Sequence, residues 1–149
     1  MQISEHFTTG EFACQCGCGL GNDPADVAGE LIDHLELMRT IRGDRPIGVK
    51  SGLRCPAHNE ASGGVENSAH TRGTAADLRV VRGTRGLDRW SLVVAHVLAT
   101  AVENGALTLA EAVRIYRELI EAARGLGVAR GFVHVDTDEI KPRPAAWSY

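Results

Sequence analysis

The sequence predicts an α+β domain built on a small, mainly antiparallel sheet flanked by helices. Three observations lead to it. Apolar residues recur at helical spacing in three separate segments, strand-length apolar stretches fall among them without strict alternation, and the last strands read as a hairpin. A doubly wound parallel sheet, which needs strand and helix to alternate, is not expected. At 149 residues, 44% hydrophobic and 23% charged, the chain has the size and composition of one soluble domain. Residues 1–149 are therefore read as a single unit with a cysteine-rich N-terminal segment over 1–22.

The elements follow in chain order. Asp23 before Pro24 is a capping residue with proline in the first turn, and Val27, Leu31, Leu35, Met38 and Ile41 then repeat at helical spacing. A helix is expected over 24–42, stopped by Gly43 with Pro46 beyond it. Ile47-Gly48-Val49 is a short strand, and the glycine-bearing stretch 63–73 is a loop. Residues 75–81 and 132–136 read as further strands. Between them two helices are expected, over 88–104 and 109–124, the second opened by a capping box of Thr108 and Glu111. Residues 125–136 are expected to form a hairpin turning at Arg130-Gly131.

Charge and hydropathy exclude two classes of partner. Sixteen basic against 19 acidic residues give a formal net charge of −3, with no basic footprint for nucleic acid. No apolar run has the length of a membrane span, and Met1-Gln2-Ile3-Ser4-Glu5-His6 is polar and acidic where a secretory signal would be basic and then apolar. The expectation is a monomer made in the cytoplasm without a signal peptide.

The chemistry concentrates in two places. In Ser68-Ala69-His70-Thr71-Arg72-Gly73-Thr74-Ala75-Ala76-Asp77 an imidazole sits in a loop and a carboxylate in the strand that follows. In Phe132-Val133-His134-Val135-Asp136 alternation sends His134 and Asp136 to the same face. Two histidines and one carboxylate make up the three protein ligands of a catalytic zinc, leaving a position for water. Each residue alone has a plain reading, as a loop histidine, a strand-end acid or a half-buried histidine; the joint pattern is what points to metal. His6, His34 and His96 lack metal spacing, and His96, among Val93, Val94, Val97 and Leu98, reads as a histidine at the core edge.

That pattern resembles the zinc D-alanyl-D-alanine carboxypeptidase and L-alanyl-D-glutamate endopeptidase family, of hedgehog/DD-peptidase fold. Its motif S-x-H-x-x-G-x-A-x-D is matched by Ser68, His70, Gly73, Ala75 and Asp77. Ser51-Gly52-Leu53-Arg54 with Asn59 and Gly63-Gly64 is similar to its upstream segment, residues 132–136 to its closing strand, and Trp147 to an aromatic after it. The resemblance implies Zn²⁺ held by His70, Asp77 and His134, with Arg54 meeting the substrate and Ser68 beside it. It implies hydrolysis of peptide bonds involving D-amino acids in peptidoglycan peptides, endolysin-like or carboxypeptidase-like. Without a signal peptide, such an enzyme would reach the cell wall after release at phage lysis or as part of a virion. The match is incomplete at one point: many relatives carry an acid three positions before the last histidine ligand, and this chain has Gly131. Asp136 is the candidate general base in its place, with Asp138 and Glu139 behind it. The missing acid also leaves open a second class, a zinc-containing binding module of the same fold without hydrolysis.

The four cysteines, Cys14, Cys16, Cys18 and Cys55, are crowded toward the N-terminus. Cys-x-Cys-x-Cys is not the two-residue spacing of zinc ribbons, and alternation works against convergence of all three unless Gly17 and Gly19 bend the chain. A second, structural metal, a disulfide from Cys55, or unpaired thiols are all compatible with the spacing. Either of the first two would tether the N-terminal segment next to Arg54.

Overall fold

The structure is a computed structural model, described over residues 1–79, 87–123, 133–136 and 146–148, the last two segments as backbone. Four strands, β1 (Gly48–Ser51), β2 (Ala75–Arg79), β3 (Val133–Asp136) and β4 (Ala146–Ser148), form one sheet in the order β1-β2-β3-β4. Every neighbouring pair is antiparallel. Around it lie α1 (Thr9–Phe12), α2 (Gly29–Ile41), α3 (Pro56–Ala61), α4 (Leu87–Glu103) and α5 (Leu109–Ala123). The class is α+β, as the sequence predicts.

Alternation along β2 decides which side of the sheet is core. Ala76 and Leu78 join Val49 of β1 in the apolar cluster with Phe7, Phe12, Leu31, Leu35, Met38, Ile41 and Leu92. Ala75 and Asp77 therefore lie on the other face. Helix α4 packs against both α2 and α5. Arg42 ties these helices together inside the protein: it donates to Asp88 Oδ1 at 2.8 Å and to Ser91 Oγ at 2.9 Å, and Ser91 Oγ lies 2.6 Å from Tyr116 Oη. Breaking a buried pair of this kind costs about 3–5 kcal/mol, enough to matter to a domain of marginal stability.

Several expected elements have different bounds. The helix expected over 24–42 is two pieces: a single turn of 3₁₀ helix at Pro24–Asp26, with Asp23 capping Ala25, and then α2. Val27 and Ala28 are extended between them, because the Ala28 amide donates to the carbonyl of Gly73 (3.1 Å) instead of continuing the helix. β1 runs on to Ser51, and the loop over 63–73 contains a 3₁₀ turn at Ala69–Arg72. β3 pairs with β2 on one edge and β4 on the other, and residues 125–132 of the expected hairpin lie outside the described residues. The turn at Arg130-Gly131, the strand ends at Val80, Val81 and Phe132, and the helix end at Arg124 lie outside the described residues. His96 is not at the core edge but buried, its Nδ1 2.7 Å from Nε2 of the equally buried His34; α2 and α4 cross there, a contact that neither helix's own periodicity reveals.

Candidate metal centre

Each specified position of the 68–77 motif has a physical task. Ser68 caps the 3₁₀ turn, its Oγ accepting from the amide of His70 (3.3 Å). Gly73 ends the turn at φ 73°, and a Cβ there would run into the carbonyl oxygen of Asp26, so this reversal needs glycine on both counts. Ala75 is buried on the same face of β2 as Asp77. Ser68, His70 and Asp77 are each more than nine-tenths buried, and its cap gives Ser68 a part in shaping the His70 loop.

The imidazole of His70 is held in one tautomer. Its Nδ1 lies 2.6 Å from the carbonyl oxygen of Gly52, and a carbonyl can only accept, so Nδ1 donates there and Nε2 is the ring nitrogen turned toward Asp77. Nε2 stands 3.5 Å from Asp77 Oδ1. Two ligand atoms sharing a tetrahedral zinc at about 2.0–2.1 Å stand roughly 3.3 Å apart, so this pair fits the ion. A carbonyl behind the far ring nitrogen is also the usual outer support of a metal-bound histidine.

Asp77 divides its two oxygens. Oδ1 is toward His70, while Oδ2 accepts from Arg54 Nη2 at 2.8 Å. Arg54 Nε donates to Ser51 Oγ at 3.1 Å, and the Arg54 amide donates to the carbonyl of His70 at 3.0 Å. Arg54 is thus fastened to the site itself. A β-bulge explains Ser51: the register shifts between Val49 and Ser51, which puts Ser51 rather than Lys50 opposite Asp77. Neither the bulge nor Gly52's carbonyl is visible as a motif, although Gly52 is forced by contact, since a Cβ there would meet the backbone of Phe12.

From the other side of β2, β3 brings His134 to the register position opposite Asp77 and Asp136 to the position opposite Ala75. Directly opposed residues of an antiparallel pair share a face, so both occupy the face of Asp77. Trp147 of β4 is opposite His134. Asp138 and Glu139 lie outside the described residues.

The four thiols also converge. All four sulfur atoms lie within 4.8 Å of one another. Gly17 and Gly19, with φ of 79° and 90°, turn the chain back, and the loop is closed by the Cys14 amide donating to the Leu20 carbonyl at 2.8 Å; this overcomes the alternation expected to keep the thiols apart. Burial pushes the Cys14 thiol up, but hydrogen bonds from the Cys16 and Cys55 amides, the Cys16 thiol and His58 outweigh it and hold it at about 6. Cys16, hydrogen-bonded first of all to Cys14, is pushed up to about 12. His58 belongs here: its Nδ1 is 3.3 Å from Cys14 Sγ.

Comparison with known proteins bears on this geometry. The family described as Peptidase M15 matches residues 5–106, a span that includes Cys14 to Cys18, Arg54, Cys55, Ser68, His70 and Asp77 and stops short of His134. No curated protein and no solved structure matches. The matched span is more than two thirds of the chain, and the protein belongs to the Peptidase M15 family, of zinc D-alanyl-D-alanine carboxypeptidase type.

Proposed function

We propose that this protein is a zinc metallopeptidase that hydrolyses peptide bonds involving D-amino acids in peptidoglycan peptides, with His70, Asp77 and His134 as the metal ligands. The observation that carries the reading is the pair of His70 Nε2 and Asp77 Oδ1 at 3.5 Å, with His134 at the register position facing Asp77. Zinc at such a site lowers the pKa of a bound water to about 7 and polarises the scissile carbonyl. The chain's own residues supply the rest. Gly52 fixes the His70 ring, and Arg54 holds Asp77 to a single metal-facing oxygen while keeping a permanent positive charge beside the place where a carboxylate or oxyanion would sit. Asp136, two residues beyond His134 on the same face, takes the proton from the attacking water and hands it to the leaving amine.

The proposal extends to the whole chain as one hedgehog/DD-peptidase-like domain that acts as a monomer on cell wall, after release at lysis or from a virion. None of the described helices is long and apolar enough to cross a membrane. The test is digestion of defined muropeptides by the zinc-loaded protein, with products read by mass spectrometry. New termini at a bond flanked by a D-residue are expected, and their position distinguishes a carboxypeptidase from an endopeptidase. Intact muropeptides beside a fully occupied zinc site would overturn the enzyme reading in favour of a binding module.

A further inference from the structure

We propose that Cys14, Cys16, Cys18 and Cys55 bind a zinc ion of their own, in a closed structural site distinct from the His70 centre. Four sulfurs at about 2.3 Å from one zinc stand roughly 3.8 Å from each other. Here Cys14 Sγ is 3.4 Å from Cys16 Sγ, Cys16 Sγ is 3.6 Å from Cys55 Sγ, and no pair among the four exceeds 4.8 Å. A disulfide would draw two of these sulfurs together and leave two without purpose. A tetrahedron uses all four, and four thiols in that shape select zinc or iron–sulfur over harder cations.

The surroundings are those of bound thiolate. The Cys55 amide donates to Cys14 Sγ at 3.3 Å, the His58 amide donates to Cys55 Sγ at 3.4 Å, and the His58 ring approaches Cys14 Sγ at 3.3 Å. Such donors offset the excess negative charge of four thiolates on a dication. The balance is four thiols plus Zn²⁺ giving one tetrathiolate zinc and four released protons.

What the ion would hold in place is the run Gly52 to Cys55. Gly52 orients His70, the Leu53 amide donates to the carbonyl of Phe12 at 2.8 Å, Arg54 pairs with Asp77, and Cys55 is the fourth thiol. The cysteine ion clamps the N-terminal segment onto the strand end that builds the other centre.

The test is metal analysis of the full-length protein after dialysis against a weak chelator. About two zinc ions per chain are expected for wild type, about one for His70→Ala, and about none for His70→Ala combined with Cys18→Ser, an exposed position chosen to spare the core. Cobalt-loaded His70→Ala should show intense thiolate-to-cobalt charge-transfer absorption, and all four thiols should resist a thiol reagent until zinc is stripped. Neither of these needs a cysteine variant to fold. A metal-free His70→Ala protein, thiols that react while zinc is bound, or a chain two hydrogens lighter through a disulfide would overturn the proposal. All of these readouts are independent of peptidase activity.

Discussion

The two proposed metal sites lie at opposite ends of the same four residues, Gly52 to Cys55, yet they are built differently. The His70 centre mixes an imidazole from a 3₁₀ turn with a carboxylate from β2, and its supports are a backbone carbonyl and a guanidinium. The cysteine cluster uses one ligand type, four times, from a glycine-bent loop and the residue that caps α3. Three mixed nitrogen and oxygen ligands leave zinc an open position for water, whereas four thiolates close it. One short segment meets both clusters because Gly52 and Arg54 bond His70 and Asp77 while Cys55 turns its amide and thiol to the other cysteines.

Substitutions can sharpen that contrast, and the largest effect short of losing a ligand is expected at Asp136. If its carboxylate moves the proton, Asp136→Asn keeps both metals and lowers the catalytic rate by roughly 10²- to 10⁴-fold. Steady-state kinetics with zinc analysis on the same sample checks this; a variant that loses zinc would make Asp136 a ligand, and one with the wild-type rate would remove it from the chemistry. A smaller effect is expected at Arg54. Arg54→Lys replaces a fork that bonds Asp77 and Ser51 at once by a point charge. It should retain metal at saturating zinc and lose roughly 10- to 100-fold in zinc affinity or in turnover, the usual size for a residue that supports a ligand. Zinc titration followed by assay at saturation separates the two, and an unchanged variant in both would reduce Arg54 to a surface contact. Neither substitution should alter the cobalt–thiolate absorption of the cysteine cluster, which is what makes the two sites separable.

The sequence made the local chemistry legible and the long-range contacts much less so. Ser68 to Asp77 could be read because its members lie within ten residues of one another, and the Ser68 cap, the left-handed Gly73 and the alternation along β2 are local features. The α+β class followed from the order of helical and strand-length segments. The helix over 24–42 was misjudged because its break depends on Gly73, far along the chain, taking the Ala28 amide. α1 has a local signal in the sequence: Thr8 and Glu11 have the spacing of Thr108 and Glu111, and Glu11 Oε2 accepts from the Thr8 amide at 2.8 Å. β4, three residues long, offers too little alternation to be distinguished from loop. The Ser51 contact of Arg54 depends on a bulge and the convergence of the cysteines on two positive-φ glycines, and neither has a motif in the sequence.

In the function proposed above, the mixed site and not the thiol cluster does the chemistry. The most direct test of this assignment is release of peptides from purified peptidoglycan by protein stripped of metal and then restored with zinc, with His70→Ala treated in parallel. Stripping should abolish release, zinc should restore it in the wild type, and His70→Ala should recover its thiol-bound zinc but no cleavage. Release at the wild-type rate by the stripped protein, or by His70→Ala, would contradict it.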